Sequence, residues 1–113
     1  MRRAWNATRY SFGGLAAAAR HEAAFRELVL LLVIAVPAAF WLGETGLERA
    51  VMIAVVALTL VVELINAAIE AVVDRISLEN HALAKRAKDI GSAAVMVSLA
   101  NAAAVWLVIL LSR

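Results

Sequence analysis

Apolar positions fall into three long blocks separated by short polar intervals. Residues 28–42 carry no charge, and with residues 23–27 entering the headgroup layer the block reaches the roughly 20 residues that a helical membrane span needs. A polar turn, Gly43-Glu44-Thr45-Gly46, leads into a second apolar stretch at 47–73, which holds Glu63, Asn66 and Glu70 within it. A polar segment at 74–89 precedes a third uncharged run at 90–111. The pattern predicts an all-α membrane protein with three transmembrane helices, at about 24–42, 47–73 and 90–111. Pro37 is expected to kink the first.

Ahead of the first span, Trp5, Thr8, Phe12, Leu15 and Ala19 recur at spacings of three and four. They form an apolar stripe with Arg9 and Arg20 off its edge, which predicts an amphipathic helix over about 4–20 lying on the membrane surface. Gly13 and Gly14 weaken it, and a poorly ordered tail is the other reading.

Lys and Arg placement sets the orientation. Arg2, Arg3, Arg9, Arg20 and Arg26 precede the first span, and Arg75, Lys85, Arg86 and Lys88 lie between the second and third, leaving only Arg49 and Arg113 of the eleven for the other side. The positive-inside rule then places the N-terminus and residues 74–89 in the cytoplasm and the C-terminus outside. No apolar core follows Arg2 and Arg3 closely enough for a cleavable signal peptide, so the first span is expected to serve as the targeting signal.

Composition agrees with a bilayer as part of the solvent: 65% of 113 residues are apolar, more than a domain of this size can hide. The absence of cysteine excludes disulfides and thiolate chemistry. A net charge of +2, with the basic residues beside apolar spans, argues against nucleic acid as a partner. Trp41 and Trp106 lie near the outer ends of spans, where indoles anchor at the interface, with contact to a lipid substrate as a second role.

Glu63, Asn66 and Glu70 lie within roughly 60° of arc on one helix face, and Asp74 continues the stripe. A carboxylate at bilayer depth costs on the order of 2.5 kcal/mol or more, so the stripe is expected to face protein, water or metal. Interhelical hydrogen bonding would account for Asn66 alone; two carboxylates on the same face point to a functional site. Glu22, just before the first span, falls at a depth comparable to Glu70, and oxygen donors of this kind suit Mg²⁺ together with phosphate oxygens. Lys88, flanked by Lys85 and Arg86, offers charge to a polyphosphate or forms part of a solvated positive-inside segment. His21 and His81 have no partner at metal-ligand spacing. There is no G-x-x-x-x-G-K-[ST] loop, Gly-rich kinase loop or H-R-D segment, so no soluble nucleotide-binding fold is encoded.

The run Glu63-Leu64-Ile65-Asn66-Ala67-Ala68-Ile69-Glu70-Ala71-Val72-Val73-Asp74-Arg75, with Ala87-Lys88-Asp89-Ile90-Gly91-Ser92 downstream and Glu22-Ala23-Ala24-Phe25-Arg26 upstream, closely resembles the bacterial integral-membrane diacylglycerol kinase family. The similarity spans nearly the whole chain, including Tyr10-Ser11. It implies a homotrimeric bundle in the inner membrane, with active sites shared between protomers, that phosphorylates the primary hydroxyl of diacylglycerol with Mg-ATP to give phosphatidic acid. The resemblance assigns Glu63 as general base with Asn66 in support, and Glu22 and Glu70 as Mg²⁺ ligands. It sets Lys88 against phosphate charge, and Tyr10, Glu79, Asn80, His81 and Asp89 against the rest of the nucleotide. Ala24, Phe25, Arg26 and Ser92 would lie along the lipid access path, and Ala93, Ala94, Ala100 and Ala104 would allow close helix packing in the trimer. Since Glu63 and Glu70 share a face, their roles as base and metal ligand are exchangeable as far as the spacing goes. The family pattern has a Glu two residues past Arg26, where this chain has Leu28; a small rotation of the helix would let Glu27 substitute.

Two alternatives remain open to the residues themselves. An undecaprenol kinase is similar across the same motifs and differs in the alcohol accepted. A non-enzymatic membrane subunit would use Glu63 and Glu70 for assembly or proton conduction, and leaves Glu22, Lys88 and Asp89 without a role.

Overall fold

The computed structural model describes residues 1–76 and 81–113. Glu79 and Asn80, expected at the nucleotide, lie outside the described residues. The described residues form four helices: α1 (Arg2–His21), α2 (Ala23–Leu42), α3 (Gly46–Ile76) and α4 (Ala82–Leu111). The last three are long and apolar enough to cross a membrane.

Between α1 and α2 only Glu22 is non-helical, with extended φ −117° and ψ 106°. Arg20 and His21 close α1 with charge that suits its carbonyl end, and Arg26 Nη1 reaches back from α2 to donate to Ala19 O at 2.9 Å. One extended residue, braced from both sides, thus turns a surface helix into a span. α2 continues across Pro37.

The α2–α3 turn is tight at Gly43, where an added Cβ would lie 2.7 Å from Ala39 O and 2.6 Å from the Arg49 side chain. Thr45 starts α3 by accepting from the Glu48 amide at 3.1 Å, while the Glu48 carboxylate accepts from the Glu44 amide at 2.9 Å, a reciprocal arrangement close to a capping box. Arg113 then ties the end of α4 to this turn, 2.7 Å from Glu44 and 2.8 Å from Glu48.

α3 and α4 extend past their apolar stretches into the polar segment. α3 runs to Ile76, and α4 begins at Ala82 with His81 as its cap, Nδ1 accepting from the Leu83 amide at 3.1 Å. At 1.5 Å per residue the 31 residues of α3 measure about 46 Å, against about 30 Å of hydrocarbon, so the helix ends stand clear of the bilayer core. Charged residues continue the helix there because their backbone groups are already satisfied within it, and Lys85 and Asp89 pair at i, i+4.

α3 lies centrally, against α2 on one side and α4 on the other. Ala35, Val56 and Ala102, one from each span, form the buried core, with Leu32, Val55 and Trp106 packed on it. Small residues let α4 approach, but they are Gly91, Ser98 and Ala102 rather than the alanines singled out in the sequence. Ala93, Ala94, Ala100 and Ala104 are exposed within one chain, so any packing they provide lies between copies.

Candidate active site

Every third or fourth residue of α3 from Met52 onward is buried: Met52, Val56, Thr59, Glu63 and Asn66, with half-buried Glu70 next in line. This is one continuous helix face, and its chemistry changes halfway along. Met52 and Val56 are apolar, whereas the residues after them are polar. The Thr59 hydroxyl is consumed locally, donating to Val56 O at 2.6 Å, but Glu63 is only 4% exposed and retains a carboxylate at the same depth.

Asn66 organises the centre. Its Nδ2 donates to Glu70 Oε1 at 2.9 Å, and this bond sets which way the amide faces. Oδ1 therefore points toward α4, where it finds no hydrogen-bond donor among the described residues. The helix there is at Gly91, and an added Cβ would overlap Asn66 Oδ1. Glycine at 91 is what allows α4 this close to the amide.

Glu22 reaches the same region from the α1–α2 corner. It lines an open groove of about 710 Å³ between the second half of α1 and a flank of α3, with Leu15, Ala18, His21, Leu64 and Ala68 among its walls. The groove is mostly apolar, with its polar groups at the corner, a shape suited to an amphiphile. Among the described residues none of Glu22, Glu63 and Glu70 forms a salt bridge. No three His, Asp or Glu side chains among the described residues converge as a metal site by themselves, so a cation here would draw remaining ligands from substrate or water.

On the projecting part of α4, Lys88 Nζ lies 2.6 Å from Asp74 Oδ1 of α3, and Lys85 Nζ lies 2.7 Å from Asp89 Oδ2. Tyr10 is exposed on α1 with the Arg9 guanidinium 5.5 Å from its ring centre, and it borders a shallow cleft with Arg2, Arg3 and Asn6. Among the described residues no hydrogen bond or ion pair joins Tyr10 to the α3 stripe.

The remaining expected residues divide. Ala24 and Ser92 are exposed, Phe25 is buried in the bundle, and Arg26 is engaged with the end of α1. Trp41 is exposed as an interfacial anchor would be, whereas Trp106 is half-buried and its Nε1 donates to Met52 O at 3.0 Å, joining α4 to α3. Leu28 is buried and Glu27 exposed. Within one chain the two side chains therefore face different ways, Leu28 into the bundle and Glu27 away from it. Thr59, Gly91 and the Arg113 clamp were missed in the sequence. Thr59 had a signal, lying four residues before Glu63 on the same face.

Comparison with known proteins follows the same lines. The family described as prokaryotic diacylglycerol kinase matches residues 9–110. The chain is 57% identical over 111 residues to a diacylglycerol kinase of Pseudomonas aeruginosa, covering 98% of this chain and 90% of that one. It is 48% identical to one of Haemophilus influenzae, covering 89% and 86%. To one of Escherichia coli it is 46% identical, covering 92% and 85%. Three helices long and apolar enough to cross a membrane, an acidic stripe in the C-terminal half of α3 and a match along nearly all of its length agree: the chain belongs to the prokaryotic diacylglycerol kinase family.

Proposed function

We propose that this chain is an ATP-dependent lipid kinase of the bacterial inner membrane that converts 1,2-diacylglycerol to phosphatidic acid at the cytoplasmic interface. The observation that carries the reading is the buried Glu63–Asn66–Glu70 face. Two carboxylates and an amide are held at the inner end of a span without a cationic partner among the described residues, a costly arrangement for packing alone.

Glu63 acts as general base. Its carboxylate takes the proton of the lipid's primary hydroxyl as that oxygen attacks the γ-phosphorus of ATP; the bond from the γ-phosphorus to the β-bridging oxygen breaks, and ADP leaves. Asn66 holds Glu70 through its amide N–H and keeps Oδ1 free to accept from a bound group. Glu22 and Glu70 are the residues that would hold Mg²⁺. Their hard oxygen donors fit it, since Mg²⁺ takes one or two protein carboxylates together with phosphate oxygens and water. When bound it would neutralise charge on the transferring phosphoryl group. Lys88 offers an ammonium to the phosphates, with Asp89, His81, Tyr10, Glu79 and Asn80 toward the rest of the nucleotide. Positioning and charge compensation supply most of the rate in such transfers.

The lipid approaches along the groove beside Glu22, past Ala24, Phe25, Arg26 and Ser92, so that its acyl chains stay in the bilayer. Trp41 and Trp106, near the outer ends of their helices, meet at most the acyl tails. A homotrimer with shared sites is supported by how little of α4 one chain covers, 11% of its most apolar window, and by Asn101, an amide exposed in the middle of that apolar helix. It would also bring Tyr10 to a stripe to which no hydrogen bond or ion pair joins it among the described residues of its own chain. The cytoplasmic N-terminus and external C-terminus follow from the lysine and arginine distribution.

The test is phosphate transfer from labelled ATP to dioleoylglycerol and, in parallel, to undecaprenol, in mixed micelles with Mg²⁺ or with excess chelator. Labelled phosphatidic acid that disappears with chelator is expected. Label on undecaprenol alone reassigns the substrate, and no label on either returns the acidic stripe to assembly or proton conduction.

A further inference from the structure

The two groups that the proposed nucleotide site draws from the projecting part of α4 are both already engaged, but in different ways. Lys85 and Asp89 pair within one helix turn. Lys88 instead reaches across to α3, where Asp74 Oδ1 lies 2.6 Å from its Nζ. Asp74 is four residues beyond Glu70, so it extends the stripe that begins with Glu63 and Asn66. A carboxylate therefore presents anionic oxygen to Lys88 beside the place where the proposed reaction needs phosphate oxygen. Both partners remain about half exposed, 43% and 58% at the side chain, so a polyphosphate can reach the pair, and water screening keeps the pair weak enough to part.

We infer that Asp74 is a positioning residue that stands in for nucleotide phosphate, holding Lys88 across the α3–α4 gap until ATP takes the ammonium from it. The inference rests on the reading of Lys88 as a phosphate contact. It differs from a plain staple between two helices in sign. A staple helps every state equally. A stand-in competes with the ligand for the ammonium.

Asp74→Asn keeps the shape and a hydrogen-bonding oxygen but removes the charge, and so separates the two. In the full-length protein in mixed micelles, Asp74→Asn is expected to lower KM for ATP about threefold, the factor to which a surface ion pair corresponds. KM for dioleoylglycerol and kcat should stay within about twofold, since the pair reports on the phosphate contact alone. Lys88→Met, measured alongside, is expected to raise KM for ATP at least about tenfold, the loss of a charge-assisted contact. In the Lys88→Met background, Asp74→Asn should no longer lower it. A raised or unchanged KM for ATP in Asp74→Asn with Lys88→Met impaired overturns the stand-in and leaves the nucleotide site intact. A Lys88→Met variant with unaltered KM for ATP removes the phosphate contact and the inference with it.

Discussion

The inner-facing side of α3 is one stripe with two halves. Toward its Gly46 end, the outer end in the proposed orientation, Val56 meets Ala35 and Ala102, Trp106 donates to Met52 O, and Arg113 clamps α4 to the α2–α3 turn. Toward the inner end the same helix face carries Thr59, Glu63, Asn66 and Glu70, opposite a glycine that leaves the amide room. Burial is alike in the two halves and the chemistry is opposite. Half of the bundle is packed as a core, and the other half gives up that stabilisation to keep carboxylates in place. The outer half holds the helices in register, so that the inner half need not.

Breaking the halves should therefore have unlike consequences. The largest effect belongs to Glu63→Gln, with phosphate transfer expected to fall by about 10²–10⁴, the range for removing a general base. Gly91→Ala comes next. Its methyl group collides with Asn66 Oδ1, so overpacking should cost about 1–3 kcal/mol in thermal or denaturant unfolding. Activity should drop at least about tenfold as Asn66 turns from Glu70, a hydrogen bond to a charged group being lost; retained activity would mean that the amide's orientation is immaterial. Trp106→Phe removes one interhelical hydrogen bond in the outer half and should cost about 0.6–1 kcal/mol of stability with kcat unchanged. Arg113→Gln should lower the melting temperature slightly, an effect that fades at high salt, because its ion pairs are at an exposed turn. Loss of kcat in either outer-half variant would erase the distinction.

Much of this was legible in the sequence because the bilayer demands it. Three spans follow from uncharged length, and the stripe follows from spacings of three and four with Glu63, Asn66 and Glu70 in apolar surroundings. What was not legible is what needs a second helix. The bond from Trp106 to Met52 joins residues 54 apart, and the one from Arg113 to Glu48 joins residues 65 apart. Neither has a local signature, and Trp106 alone looked like an interfacial anchor. Gly91 lay in plain view within its motif, yet its reason is an amide on another helix. His81, which the resemblance sets against the nucleotide, caps α4, although histidine is not among the usual capping residues. Glu27 is an acidic residue one position short of where the family pattern has one, and the burial of Leu28 beside it shows that the two face different ways.

Whether the inner half is built for chemistry at the expense of packing is decided by Glu63→Leu, followed by both thermal unfolding and phosphate transfer to dioleoylglycerol. A buried carboxylate replaced by an apolar side chain of similar volume should leave the protein at least as stable, because the cost of burying the ionisable group is removed, while transfer falls to background. A lower melting temperature with activity lost in proportion to the folded protein would contradict it, and would make Glu63 part of the packing after all.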